Sequence, residues 1–249
     1  FVAPDFIVRR ITDRRFDPRT IIRTGFSHFN RGGLFTVNTF SLSMDYNWQQ
    51  STTRTHDLKI FSLDYQRLRN ISDLPEVTSF LERNYPQAFI PSLRYSYTLN
   101  NLLYTRNVNH FWNVAVEPAG SLFGLGDRVI TEVTGDNDFA AEIFGIPYAQ
   151  YVRMLSDGRL YWNMSEKHRL VGRLYLGLGI PYGNSDVLPY KKQFYSGGTT
   201  SLRAFPSRSV GPGSYRDTTE VANGLRLGQT GDMKLEVNLE YRVDLMKYL

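Results

Sequence analysis

Asp232–Leu245, DMKLEVNLEYRVDL, is the stretch whose reading decides the fold. Its odd positions are Met233, Leu235, Val237, Leu239, Tyr241, Val243 and Leu245, all apolar or aromatic. Its even positions are Asp232, Lys234, Glu236, Asn238, Glu240, Arg242 and Asp244, all polar or charged. Side chains alternate faces along a strand, so this segment has one wholly apolar face and one wholly polar face. Soluble strands run to roughly 5–6 residues, whereas a tilted strand that crosses a bilayer needs about 9–11. The length and the strict alternation together predict a membrane-spanning strand.

The same pattern recurs upstream. Over Arg169–Ile180, Leu170, Leu174, Leu176, Leu178 and Ile180 share a face with Gly172, opposite Arg169, Arg173, Tyr175 and further glycines. Over Phe89–Leu99, Phe89, Leu93, Tyr95, Tyr97 and Leu99 oppose Ser92, Arg94, Ser96 and Thr98. Over Phe40–Trp48, Phe40, Leu42, Met44, Tyr46 and Trp48 oppose Ser41, Ser43, Asp45 and Asn47. Weaker alternation marks Thr20–Asn30, Leu58–Leu68, Phe111–Ala119 and Tyr148–Trp162. The expected fold is therefore all-β, with about eight strands, most of them long.

The connections have two characters. Links near 49–55, 100–107 and 163–167 are short and polar, whereas those at 69–86, 120–146 and 181–231 are long. An outer-membrane barrel shows this asymmetry, with tight periplasmic turns and larger external loops. The short link at 30–33 breaks the rule, and Leu74–Asn84 is expected to form a short helix inside a loop. A soluble β-sandwich also alternates, but its strands are usually shorter and a second sheet must cover its apolar face.

Composition is compatible with this reading. Mean hydropathy is −0.35 and no run approaches the roughly 18 apolar residues of a membrane helix. A membrane barrel escapes both tests, because only alternate residues face lipid. Sixteen Tyr and 16 Phe are enough to supply interfacial girdles. The chain has no cysteine, which excludes disulfides, thiolate metal sites and cysteine nucleophiles. Its net charge of +5 comes from scattered Lys and Arg, which fits anionic lipid headgroups or lipopolysaccharide as well as anything else; nucleic acid is not expected. The chain starts at Phe1 and stops at Leu249 directly after a strand, so an internal piece of a longer protein is expected.

One connection carries a distinctive sequence, KQFYSGGTTSLRAFPSRSVGP at 192–212. Phe194 and Tyr195 lead into Gly197-Gly198, a pair that frees the backbone for a sharp turn. Arg203 stands near Leu202 and Phe205, and Gly211-Pro212-Gly213 closes the segment with a second turn signal.

This loop resembles the signature loop of the BamA/TamA outer-membrane assembly superfamily, an aromatic and Gly-Gly followed by an Arg-Gly-Phe-type tripeptide. The resemblance is most specific from Tyr148 to Arg242: a strand, a turn at Ser165-Glu166-Lys167, a strand with Leu-Val-Gly-Arg at 170–173, the loop, then a strand containing Leu239-Glu240-Tyr241. It implies that the chain is part of a C-terminal transmembrane barrel domain over 1–249, covering about eight strands of a larger barrel of about 16. It further implies a loop at about 182–231 folded into the lumen, periplasmic domains upstream, and a weak seam where the first and last strands of the barrel meet. Carried over to this sequence, Arg203 matches the loop arginine and Glu240 the first acid on the wall that receives it. The family's second wall acid falls beyond Leu249. Ala204 stands where the common pattern has glycine, which demands an ordinary φ or a little more room at that turn. Ser209–Gly213 looks closest to the TamA-like lipoprotein branch.

The function so implied is insertion or translocation of unfolded outer-membrane proteins, at the bacterial outer membrane, with possible periplasmic or lipoprotein partner subunits. The alternative is a passive pore or secretion channel plugged by the same loop. No cofactor and no catalysis are expected. His28, His56, His110 and His168 are dispersed, without HExxH or paired-ligand spacing. There is no G-x-S-x-G elbow or Walker loop, and Gly177-x-Gly179 lies inside a strand with no helix after it. Glu236 and Glu240 share a face, but Lys234, Asn238 and Arg242 beside them point to charge balancing rather than an acid/base pair.

Overall fold

The computed structural model describes residues 16–31, 35–70, 88–102, 107–121, 142–143, 146–183, 185–211, 213 and 229–245. Wherever the sequence alternates, the chain is extended. The strands are β1 (Arg19–Arg31), β2 (Phe35–Ser51), β3 (Arg54–Asn70), β4 (Ala88–Asn100), β5 (Val108–Ala119), β6 (Glu142–Ile143), β7 (Ile146–Pro147), β8 (Tyr151–Asn163), β9 (His168–Pro181) and β10 (Met233–Val243). Eight of them form one antiparallel sheet in the order β1-β2-β3-β4-β5-β8-β9-β10, and β6 pairs only with β7. The expected helix at Leu74–Asn84 falls outside the described residues.

The eight expected strands each correspond to a strand of this sheet, with shifted ends. β8 starts at Tyr151 rather than Tyr148, because the chain just before it turns to β4. There Tyr148 makes an isolated parallel bridge to Phe89, and the Ala149 amide donates to the Phe89 carbonyl at 2.9 Å. β3 contains a bulge: Asp45 pairs with Lys59 and Met44 with Phe61, leaving Ile60 without an opposite residue. The extra residue reverses the parity of the strand. Lys59 is followed on the polar face by Ser62 and Asp64, and Ile60 and Phe61 are both exposed on the other side.

The apolar face is bare. On β10, Met233, Leu235, Val237, Leu239 and Tyr241 are 59–75% exposed, and Leu174, Leu176 and Ile180 on β9 are also exposed. Among the described residues, no second sheet covers them. Leaving a large apolar side chain in water forgoes about 1.5–3 kcal/mol, which a soluble sandwich would recover by covering it; a lipid bilayer removes the penalty instead. Thirteen-residue strands such as β4 and β8 extend about 43 Å at roughly 3.3 Å per residue. Tilted by about 45°, they span about 30 Å, the hydrocarbon thickness. The fold is an all-β sheet of the outer-membrane barrel type.

The two ends of the sheet differ. The short links β2–β3, β4–β5 and β8–β9 lie at one end, while the short β1–β2 link lies at the other, as the sequence expected; at the first end Trp48 stacks on His56 with centroids 5.0 Å apart, the His56 ring bonds the Tyr95 hydroxyl at 2.7 Å, and His168 stacks on Tyr241. Amphipathic rings at the rim of an apolar band suit a membrane interface. At the other end, where the long links attach, Ile90, Ala119, Ala149, Tyr151 and Leu188 form a small buried cluster. Leu188 comes from the β9–β10 connection, so that connection is packed against the sheet from its first residues.

A bilayer-facing surface predicts a large penalty for charge. In the full-length protein in vesicles, Leu174→Arg should cost about 2–4 kcal/mol if Leu174 sits near the midplane, read from urea unfolding. An equally exposed leucine on a soluble sheet would tolerate arginine to within about 0.5 kcal/mol.

Candidate functional site

The candidate site is the contact between the β9–β10 connection and the polar face. Two glycines make that contact possible. Gly177 and Gly179 project onto the polar side of β9, and each leaves a notch. A Cβ on Gly177 would lie 2.5 Å from the ring of Phe194, and one on Gly179 would strike the side chain of Leu188. Phe194 and Leu188 are almost fully buried in these notches. The Arg153 guanidinium lies 4.4 Å from the centre of the Phe194 ring, and Tyr175 meets that ring edge-on. Phe194 also pairs with Gly231 through hydrogen bonds in both directions, at 2.8 and 2.9 Å.

Beyond Phe194 the loop closes on itself. Gly197 and Gly198 have φ values of 93° and 90°, the freedom that the pair supplies. The Gly198 amide donates to the Phe205 carbonyl at 2.8 Å and the Phe205 amide to Leu202 at 3.1 Å, folding 198–205 into a tight tip. Ser196 bridges Val210, next to Gly211, at the base of this tip. Pro212 lies outside the described residues. Ala204 does not adopt positive φ, so the turn forms without the glycine of the common pattern. The residue that does adopt it is Arg208, at φ 63°, held with its guanidinium 4.0 Å from the Tyr190 ring centre and 4.7 Å from that of Tyr195. Such a conformation costs of order 1–3 kcal/mol for a side-chain-bearing residue, and two cation–π contacts offset part of it.

Arg203 is three-quarters exposed, with Nη2 3.8 Å from Glu240 Oε1. Glu240 is held more closely by Arg242, whose Nη2 donates to Oε2 at 2.6 Å. Phe205 and Tyr195 are half-exposed.

A denser set of contacts surrounds Arg173 on β9. Its Nε and Nη2 donate to Asp157 at 3.0 and 3.1 Å, a bidentate fork, and its Nη1 donates to Glu236 Oε1 at 3.1 Å and to the Thr200 carbonyl at 2.9 Å. Ser201 donates to Glu236 Oε2. Lys234 donates to the Tyr195 carbonyl at 2.9 Å and to Ser201 Oγ at 3.1 Å. Side chains of β9 and β10 thus hold the loop at residues 195–201, with Asp157 of β8 orienting Arg173, and Glu236 is nearly buried beneath it. The alternation put Glu236 on the right face, but its charged neighbours gave no sign that the loop would meet Glu236 rather than Glu240. The polar-face glycines of β9 were the available signal, since an inner strand face without side chains leaves room for another segment.

These features define a class: a membrane-spanning antiparallel sheet whose polar face is packed against one long connection. The Omp85 superfamily domain matches residues 13–248, and the chain belongs to that superfamily. A search of curated proteins found no match. Members of the superfamily are non-enzymatic barrels of bacterial outer membranes that handle unfolded outer-membrane proteins, in insertion or translocation.

The notches give a paired test. Gly177→Val should displace Phe194 at an overpacking cost of about 1–3 kcal/mol, seen as faster trypsin cleavage after Arg203 or Arg208. Gly172→Val, on the opposite face where nothing lies within 4 Å of its Cβ, should leave cleavage unchanged.

Proposed function

We propose that this chain is the part of an outer-membrane insertase or translocation barrel in which the loop at about 182–231 lies inside the lumen and is strapped to the wall. The observation that carries the reading is the position of residues 188–205 against the polar face, where Leu188 and Phe194 fill notches and Arg173, Lys234 and Glu236 bind the loop's carbonyls and hydroxyl. A loop that served only as an external surface would have no use for buried charges beneath it. Within the barrel it limits the free cross-section of the lumen and ties β8, β9 and β10 together, so that substrate passage or strand opening is coupled to loop position. The substrates are unfolded outer-membrane proteins, with lipids or lipopolysaccharide around the barrel. Periplasmic domains upstream and periplasmic or lipoprotein partner subunits belong to the same reading. Ser209–Gly213 is the feature that favours the TamA-like lipoprotein branch.

In this reading Arg203 and Glu240 form an outer, water-exposed contact, and Arg173 with Asp157 and Glu236 forms the main anchor. An exposed ion pair at 3.8 Å contributes little, whereas a bidentate fork to a sheltered carboxylate is strong and directional. Arg173→Met should therefore accelerate loop proteolysis much more than Arg203→Ala. Arg173→Met combined with Ser201→Ala should depart from additivity by about 0.5–3 kcal/mol, because both act on Glu236. Equal effects of the two arginines, or a larger one at Arg203, would overturn the ranking.

The function itself is tested by complementation. Full-length protein should restore barrel assembly in cells depleted of the native factor, and Arg173→Met should do so poorly while still reaching the membrane. Steady ion conductance without rescue of assembly would identify a passive channel instead.

A further inference from the structure

We infer that Lys191 and Lys192 are positioning residues forming a releasable charge latch, which holds the loop to β3 and β5 on the side of the polar face away from Arg173. This rests on the reading of the loop as a lumen element. The two lysines are consecutive yet reach different strands. Lys191 Nζ lies 3.2 Å from Asp64 Oδ1 on β3, and Lys192 Nζ donates to Glu117 Oε1 on β5. Both acids are buried and otherwise supported: Asp64 accepts from Ser41 Oγ at 2.5 Å, and Glu117 from the Tyr151 hydroxyl at 3.0 Å. A turn at Pro189, whose carbonyl accepts the Lys192 amide at 2.7 Å, directs the lysines away from β9. Leu188 and Phe194 flank the pair and fix its backbone in the Gly179 and Gly177 notches.

The two sides of the loop are held differently. At β8–β10, Arg173 spends its guanidinium on two carboxylates and a carbonyl in a fixed fork. At β3–β5, each contact is a single ammonium on a flexible stem, with no planar geometry to satisfy. Beside it is a polar cavity of about 430 Å³, lined by Arg23, Lys59, Arg94 and the two lysines. A displaced lysine has room there, Ser41 still donates to Asp64, and Arg94 lines the same cavity as Glu117. Glu117 also keeps Arg153 at 4.0 Å. Opening this side therefore leaves Glu117 with a cation and Asp64 with a hydroxyl donor, which limits the cost of breaking a buried pair. The loop then pivots on its β8–β10 side.

The test is thiol labelling of full-length protein in liposomes, free of other cysteines, with a charged maleimide. Ser62→Cys places the probe under the latch, in the same cavity, and Thr199→Cys places a control at the β8–β10 side. Labelling at 62 should rise with sodium chloride, and Lys191→Met with Lys192→Met should raise it by about 5–30-fold, the effect of losing a modest interaction. Labelling at 199 should not change. Lys192→Glu should also open the site, and adding Glu117→Lys should close it again. Labelling at 62 that ignores both salt and the lysine substitutions would overturn the latch, as would a charge swap that stays open. Each arm reads loop position alone. A failure to rescue barrel assembly would sink the assembly reading and leave the latch intact, and the reverse also holds.

Discussion

Buried carboxylates on the polar face set the terms for the rest of this structure. Asp45, Asp64, Glu117, Asp157 and Glu236 are all nearly buried, on β2, β3, β5, β8 and β10. A carboxylate removed from water is tolerated only with a cation or several donors beside it. Asp45 is served by Arg23 and Lys59, and Asp157 by Arg159 and Arg173, all from within the sheet. Asp64 and Glu117 draw on lysines of the β9–β10 connection, and Glu236 on a serine of that connection. The connection is thus part of the charge balance of the wall. Its path across the face adds a donor to each of these three acids.

This division of labour explains why a bilayer-facing sheet can carry such a polar interior. The apolar face needs only alternation, and any large apolar residue serves. The polar face needs specific pairs, because a buried charge left unpaired costs about 3–5 kcal/mol, against the roughly 1.5–3 kcal/mol that one lipid-facing side chain contributes. Arg173 is central for that reason. It satisfies Asp157 and Glu236 from adjacent strands and still reaches the Thr200 carbonyl.

Much of the sheet was legible in the sequence. β10 was plain, because its alternation is unbroken over the whole strand, and β9 nearly so, with Val171 the break on its polar face. β3 was faint for a definite cause: the bulge at Ile60 shifts its apolar positions from even to odd, so no single parity describes Leu58, Phe61, Leu63 and Tyr65 together. The loop tip was legible in part. Gly197-Gly198 announced its turn, but nothing local marked Arg208 as the residue at positive φ, since its conformation depends on Tyr190 and Tyr195 closing around it. Arg203 and Glu240 were reached through resemblance, and they stand at 3.8 Å. The Arg173 and Lys191–Lys192 contacts join residues up to 127 positions apart, and single-chain periodicity carries no information about which distant strand a loop will cross.

The bare inner strip of β9 has a mechanical side. Between Tyr175 and Pro181 the polar side of this strand has only hydrogen at two successive positions, and rings and branches of the loop stand in for the missing wall. While the loop is seated, the wall there is as thick as elsewhere. Without it, no inward side chain covers the main chain along that strip, and glycine resists bending least of all residues. In the proposed reading, lifting the loop both clears the lumen and softens one line of the wall, so that opening the bore and flexing the barrel become a single event.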